Sequence, residues 1–266
     1  MEKAFETYNL PCNDCSNEPL DRIPLSRIID TLDRDYAKND LISAERHLTY
    51  WIREARQLND KRSELSLCNE MIGLCRRTND KNAALSIMEH VVKLIEDLGV
   101  GNNLSAGTIL LNAATTYEHF GDYTKALELY SDVEHIYDRL LPQNSYEFAA
   151  LYNNKAGVME LLHRYSDAES LLLLALSVLD ACGTHVVDKA ISYAGLARLA
   201  FLCHKDRDSI NQFLDMAWSV LTDSNVLHDG SYAYVCSKVS EDFFLLSRQE
   251  ESIALAEVAK EIYERT

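Results

Sequence analysis

The residues best suited to chemistry in this 266-residue chain are its seven cysteines and eight histidines. Cys12 and Cys15 form a CxxC pair, which could supply half of a zinc site or a redox couple. A tetrahedral zinc site needs four ligands, and the sequence contains neither a second CxxC nor an HxxxH to complete one. No strand pattern precedes Cys12, as a thioredoxin-like motif would require. A turn in an N-terminal tail is therefore the favoured interpretation, with a zinc or redox role as the lesser alternative.

The other cysteines and histidines fit structural positions better than reactive ones. Cys68 and Cys75 are seven residues apart, on one face of a predicted helix, and are expected to act as small buried hydrophobes. His163 and His204 fall at predicted turns between helices. The sequence contains no HExxH, no glycine-rich phosphate loop and no GxSxG. We therefore predict no catalytic residue, no metal site and no cofactor.

The charge balance narrows the possible partners. The chain has 26 basic and 42 acidic residues, giving a net charge of −16. Such a surface repels nucleic acid and anionic membranes, so we expect neither as a partner. No secretory signal and no membrane-spanning run is evident, and an odd cysteine count suits a reducing compartment. These features predict a cytoplasmic protein.

An internal repeat organises most of the chain. The stretch FGDYTKALELY, residues 120–130, is echoed by HRYSDAESLLL, residues 163–173, which places Ala126 and Ala168 42 residues apart. Steps of about this length find four further marks. These are Ala44, Ala84, Ser209 or Ile210, and Ser252. A repeat of this length is typical of a solenoid of stacked units.

Each unit contains two helical patterns separated by a short break. In the clearest unit the first helix is predicted over residues 108–120, Gly121 and Asp122 form the break, and the second helix covers residues 123–140. Alanines such as Ala114 and Ala126 would let the two helices approach closely. We predict an all-α fold of twelve helices in six antiparallel pairs. Residues 1–23 are expected to form a tail or cap, and residues 24–266 a single domain.

The repeated positions resemble those of the tetratricopeptide repeat (TPR) family. The residues that carry the match are Leu110, Ala114, Tyr117, Gly121, Ala126, Tyr130 and Val133, which recur as Tyr152, Ala156, Met159, Ala168, Leu172 and Ala175. The 42-residue period looks like the longer repeats of kinesin light chains and bacterial relatives. This resemblance implies a right-handed α-solenoid whose first helices line a concave groove that receives a peptide or a partner helix. Asp35 departs from the pattern, because it stands where the first unit should carry an aromatic residue.

The resemblance also indicates which side chains would bind a peptide. Asn112 and Asn154 are again 42 residues apart, and a carboxamide can both donate to and accept from a peptide unit. For the asparagines, the alternative is that they are simply solvated. Helix phase places five further polar residues near the same side, namely Asn69, Arg76, Asn153, Arg198 and Lys238. For the three basic residues, pairing with nearby acidic side chains is favoured over binding a partner's carboxylate.

Together these features favour a non-enzymatic module that binds another protein or a peptide. A peptide-sensing regulatory domain of a bacterial signalling system is the main alternative, and an enzyme that uses the groove is a third. The last helix carries an apolar stripe of Ile253, Ala256, Ala259 and Ile262. Such a stripe at the end of a solenoid needs a cover, and self-association could supply it.

Overall fold

The computed structural model describes residues 22–38, 40–101 and 103–265, and within these ranges the chain forms twelve α-helices, one short 3-10 helix and no strand. The α-helices are α1 Leu25–Ala37, α2 Leu41–Gln57, α3 Lys61–Thr78, α4 Lys81–Asp97, α5 Leu104–His119, α6 Tyr123–Leu140, α7 Tyr146–Leu161, α8 Tyr165–Cys182, α9 Lys189–Leu202, α10 Arg207–Leu221, α11 Gly230–Leu245 and α12 Gln249–Arg265. The 3-10 helix, Val186–Asp188, directly precedes α9. The predicted all-α class and the six helix pairs are confirmed.

The described residues form two compact units, one ending at Ile136 and the other beginning at Tyr137, so the boundary falls within α6. Within the units, α2 contacts α3, α3 contacts α4, α7 contacts α8, α9 contacts α10 and α11 contacts α12. The first helices of neighbouring pairs also contact each other: α3 with α5, α7 with α9, and α9 with α11. Of the predicted tail, residues 1–23, only Arg22 and the buried Ile23 are described. The single domain expected over residues 24–266 stays a prediction.

Acidic and amide side chains fix where many of the helices begin. Asp60, Asp80, Asp206 and Asp229 each accept a hydrogen bond from the backbone N–H three residues later, at 2.8–3.3 Å. Asn103 does the same for the N–H of Ala106 at 2.8 Å. Each cap satisfies a donor that the first turn leaves unpaired and stabilises its helix by about 1 kcal/mol. The Asn103 cap starts α5 four residues earlier than the periodicity predicts.

One residue with positive φ stands between the two helices of each of the last five pairs. These turn residues are Asn79, Gly121, His163, His204 and Ser247, with φ between 55° and 81°. A left-handed residue ends a helix by letting the following N–H groups reach its last free carbonyls. The structural role predicted for His163 and His204 is therefore confirmed.

The small-residue marks of the repeat lie at the crossing of each helix pair. Ala44, Ala84, Ala126 and Ala168 are at most 1% exposed. In the fifth pair Ile210 is buried whereas Ser209 is partly exposed, so Ile210 holds the repeat position. With Ile210 in place, the marks from Ala84 to Ser252 are each 42 residues apart. Close helix crossing at a fixed period is what allows the pairs to stack.

The apolar core of each unit is built from side chains between the helix layers. In the second unit Tyr137 packs edge-on against Phe148, with 5.8 Å between ring centroids. Tyr130 and Tyr137 are both fully buried. Asp35 replaces the expected aromatic in the first pair, and its Oδ2 accepts a hydrogen bond from His47 Nδ1 at 2.8 Å. No helix among the described residues combines the length and apolarity that crossing a bilayer demands.

The apolar stripe predicted for the last helix is divided between two faces. Ala259 and Ile262 are buried in the core of the second unit, beside Leu255. Ile253 and Ala256 are exposed. Only part of the stripe is therefore available for the self-association considered from the sequence.

Candidate partner-binding face

Three of the predicted binding residues of the first unit meet at the contact between α3 and α5. Asn112 Nδ2 donates to Asn69 Oδ1 at 2.9 Å and to the Asn69 carbonyl oxygen at 3.2 Å. Arg76 Nη1 donates to the Asn112 carbonyl oxygen at 3.0 Å and to Thr116 Oγ1 at 3.1 Å. Asn69, Arg76 and Asn112 thus bind one another across two first helices, and the amide nitrogen expected to hold a peptide is bonded within the fold.

A buried tyrosine completes this polar layer of the first unit. Tyr130 is fully buried, and its hydroxyl donates to Glu118 Oε2 at 2.8 Å and lies 3.4 Å from Thr115 Oγ1. Burial, followed by the negative charge of Glu118, raises the pKa of Tyr130 well above its ordinary value. The hydroxyl therefore stays neutral and serves as a structural donor.

In the second unit Arg198 joins three neighbouring first helices. Its Nε donates to both carboxylate oxygens of Glu160 on α7, at 2.8 and 3.0 Å, and its Nη1 donates to Asp242 Oδ1 on α11 at 2.6 Å. Burial alone lowers the pKa of Arg198, but its bonds with Glu160 and Asp242 outweigh that effect and raise it. For Arg198 the structure shows pairing with acidic neighbours.

The other predicted residues of the second unit differ in their surroundings. Asn153 Oδ1 accepts a hydrogen bond from Ser192 Oγ at 2.8 Å, which again links α7 to α9. Asn154 is partly exposed and Lys238 is exposed. Asn153 therefore belongs to the internal bonding between helices, whereas Asn154 and Lys238 retain exposed surface.

A buried carboxylate near the start of α9 was not found from the sequence. The Tyr146 hydroxyl donates to Asp188 Oδ1 at 3.5 Å, and the His185 ring stacks on Tyr146 at 3.9 Å. Asp188 Oδ2 is buried without a hydrogen-bond partner, and His185 Nδ1 lies 3.8 Å from it. Burial raises the pKa of Asp188, while the charge of His185 and the Tyr146 hydrogen bond act in the opposite direction.

The main exposed feature of the second unit is an apolar strip, defined as Leu161, Phe201, Phe244 and Leu245. These side chains are 48%, 52%, 60% and 66% exposed, and they come from the C-terminal ends of α7, α9 and α11. Residues three apart on a helix share a face. Phe201 lies three residues after Arg198, and Leu245 three after Asp242, so the apolar strip borders the Arg198 network.

Two of the predicted binding residues share helix faces with this strip. Asn154 precedes Leu161 by seven residues, and Lys238 precedes Leu245 by seven. A spacing of seven returns to the same side of an α-helix. The apolar strip, Asn154 and Lys238 therefore belong to one surface of the second unit, which we call the first-helix face. Sequence reasoning identified the polar members of this face and missed the apolar ones, although their distance from the turn residues could have revealed them.

The cysteines of α3 are buried, as predicted. Cys68 and Cys75 are both in the core of the first unit, and burial raises the pKa of Cys68 to about 12. Cys68 also has neighbours that sequence spacing did not connect. Its sulfur, a Glu64 carboxylate oxygen and a His90 ring nitrogen all lie within 4.8 Å of one another. The Cys12–Cys15 pair lies outside the described residues.

An open depression of about 780 Å³ lies on the surface of α10 beside Tyr193. Its rim includes the carboxylates of Asp208 and Asp215, together with Asn211 and Gln212. The nearby carboxylates make the depression acidic. Its lining offers mainly polar contacts.

No family model matches the chain, and no curated protein matches it. Among solved structures, BtubC (BKLC) from P. vanneervenii aligns at 17% identity over 91% of each chain, with a TM-score of 0.49. The crystal structure of TPR-like repeats from Podosopora anserina, described as those of a kinesin light chain, aligns at 16% identity over 76% of this chain and 95% of that chain, with a TM-score of 0.52. A variant of the same repeats aligns over the same shares with a TM-score of 0.53.

This chain has a TPR-like repeat fold. The predicted resemblance to the longer repeats of kinesin light chains is confirmed at the level of the fold. At these identities the likeness extends to the stacked helix pairs and not to ligands. What this TPR-like chain binds must therefore be argued from its own surface.

Proposed function

We propose that this protein is a non-catalytic module that holds a partner protein or peptide against the first-helix face of its second unit. The observation that supports this proposal is the apolar strip, because three neighbouring helices each expose large apolar side chains at their C-terminal ends. Contiguous exposed apolar surface bordered by polar groups is typical of interaction sites. Stacked repeats present such residues in a row, which suits an extended or helical partner.

The size of the expected contribution is compatible with specific binding. Fully burying a leucine or phenylalanine contributes about 1.5–3 kcal/mol. The four residues of the apolar strip are about half exposed, so their complete burial would contribute roughly 3–6 kcal/mol in total. Association also costs several kcal/mol in lost freedom, so further contacts are needed. Asn154 and Lys238 on the same face could provide them, by bonding a peptide unit and a carboxylate respectively.

The first unit suits this role less well. Its Asn69, Arg76 and Asn112 already bond to each other, so a peptide would have to replace existing bonds. Replacing one hydrogen bond by another yields little net free energy. The partner-binding face is therefore assigned to the second unit. The peptide-sensing regulatory role stays a prediction from the sequence.

The test compares two variants that change exposed apolar residues in the same unit. Phe201→Ser/Phe244→Ser alters the apolar strip, whereas Leu227→Ser alters a side chain that is 79% exposed in the loop before α11. Partners captured by the wild-type protein from its host would be identified, produced separately and titrated by calorimetry. We expect the double variant to weaken binding at least about tenfold, which corresponds to 1.4 kcal/mol, and Leu227→Ser to leave it unchanged.

Two results would contradict the proposal. One is equal affinity of a captured partner for the wild-type protein and Phe201→Ser/Phe244→Ser. The other is an equal loss in the Leu227→Ser control, which would indicate nonspecific attachment to exposed apolar groups. Circular dichroism of each variant establishes that the helical content is retained.

A further inference from the structure

We propose that Glu64, Cys68 and His90 form a binding site for a zinc-like divalent transition metal between α3 and α4 of the first unit. Three different donor atoms converge there, a carboxylate oxygen, a thiol sulfur and an imidazole nitrogen, all within 4.8 Å of one another. Metal–ligand distances of 2.0–2.3 Å place the ligands of a tetrahedral ion about 3.3–3.8 Å apart. Small rotations of these side chains would therefore close the site on an ion.

The helices position the three donors without special loops. Glu64 and Cys68 are four residues apart on α3, so they point in the same direction one turn apart. His90 extends from α4, and its Nε2 lies 2.6 Å from Glu64 Oε1. Glu64 and Cys68 are buried, whereas the His90 side chain is 35% exposed. An ion could enter past the imidazole and still be held by buried ligands.

The donor set selects the class of metal. Thiolate and imidazole are ligands for zinc and cobalt, whereas magnesium and calcium require oxygen ligands. On binding, the Cys68 S–H bond breaks, its proton passes to solvent, and the sulfur bonds to the metal. The Nε2 proton of a neutral His90 relocates to Nδ1, so that Nε2 can coordinate. One carboxylate and one thiolate then balance a divalent ion, and water can take the fourth position.

A neighbouring arginine competes with the metal for the carboxylate. Arg56 Nε donates to the same Glu64 Oε1 at 2.5 Å. The Arg56 side chain is 52% exposed, so its guanidinium can move into solvent when the ion takes its place. Removing Arg56 should therefore tighten metal binding. A purely structural ion pair predicts no such gain.

Cobalt(II) provides a direct probe, because a thiolate–cobalt bond absorbs in the near ultraviolet. The chain should first be given Cys12→Ser/Cys15→Ser, since the CxxC pair could itself bind cobalt. In this background, freed of metal by a chelator, we expect one equivalent of cobalt to produce the thiolate band. Cys68→Ser should abolish the band, and His90→Gln should weaken binding at least about tenfold. Arg56→Gln should strengthen binding, and Cys236→Ser, which alters a buried cysteine of the second unit, should change nothing.

Absence of the band in the Cys12→Ser/Cys15→Ser background would overturn the proposal, as would a band that survives Cys68→Ser. Circular dichroism would show whether Cys68→Ser still folds. If it does not, the partly exposed His90 supplies the deciding test, because unchanged cobalt affinity in His90→Gln excludes the site.

Discussion

The C-terminal ends of the first helices differ sharply between the two units, although they occupy the same positions in the repeat. We compare the residues three and two positions before each turn residue. In the first unit these are Arg76 and Arg77 before Asn79, and Glu118 and His119 before Gly121. In the second unit the same positions hold Glu160 with Leu161, Phe201 with Leu202, and Phe244 with Leu245. The repeat constrains the fully buried positions of each pair, whereas these partly or fully exposed positions vary between the units.

Each unit also ties its first helices together with an arginine, but with different partners. The hydrogen bonds of Arg76 include those to a carbonyl and a hydroxyl oxygen, and its charge also acts on Glu70. Arg198 donates to two carboxylates on two neighbouring helices. A carboxylate left in a partly buried place without its cation is costly. Arg198 should therefore contribute strongly to the stability of the second unit.

The largest expected effect concerns Arg198. Arg198→Met leaves Glu160 and the buried Asp242 without this cation and should lower the free energy of unfolding by about 3 kcal/mol. Urea unfolding followed by circular dichroism would measure the change.

The control is Arg53→Met, because the Arg53 side chain is 64% exposed and its guanidinium lies 3.7 Å from the Glu54 carboxylate. Its effect should stay within about 0.5 kcal/mol. A loss for Arg198→Met no larger than that for Arg53→Met would contradict the role assigned to the Arg198 network.

The second prediction concerns two asparagines that the sequence treats as equivalent. Asn112→Ala removes the bonds to Asn69 and should cost about 1 kcal/mol in the free energy of unfolding. Asn154→Ala, at the corresponding position of the second unit, should cost less than about 0.5 kcal/mol, because this residue is partly exposed. Urea denaturation of both variants would compare them, and a larger loss for Asn154→Ala would reverse their assigned roles.

The third prediction uses the buried carboxylate of the second unit. Burial raises the pKa of Asp188 above 3.8, so its ionised form destabilises the folded state. This penalty is absent below the unfolded pKa, grows as the pH rises through the folded pKa, and is complete above it. Asp188→Asn should therefore unfold at higher urea concentration than the wild type at neutral pH, and the difference should vanish toward about pH 3.8. A lower midpoint for Asp188→Asn at neutral pH would mean that the carboxylate is stabilised by its neighbours.

The fold could be predicted because its determinants repeat. Small residues at the helix crossings and short breaks recur every 42 residues, and close crossing requires them there. Asn103 was missed as the start of α5, because a cap is a single residue without a period. Ile210 was left ambiguous with Ser209, because burial and not residue type decides which of the two lies at the crossing.

The site was harder to predict because the repeat brings its own residues together. Residues about one repeat apart on adjacent first helices are neighbours, so the repeat that aims Asn112 at a peptide also brings it within reach of Asn69, 43 residues earlier. In α9 the position that corresponds to Asn112 and Asn154 is occupied by Gly195. A Cβ at Gly195 would lie 3.0 Å from a Leu172 side-chain carbon. Packing against the second helix therefore decides what each repeat can display. The apolar strip escaped notice because a leucine or phenylalanine near a helix end has the same period as a core residue.

The last stability test asks whether the apolar strip serves the fold at all. Phe244→Ser/Leu245→Ser changes two side chains that are 60% and 66% exposed, so the free energy of unfolding should fall by only about 1 kcal/mol. Leu246→Ser, one residue further along and only 2% exposed, should cost about 2–4 kcal/mol. Both would be measured by urea unfolding. If the exposed pair cost as much as Leu246, the strip would be part of the core and the contrast between the two units would lose its functional meaning. If it costs far less than Leu246, the fold does not depend on these exposed apolar groups, and they are free to serve the proposed binding role.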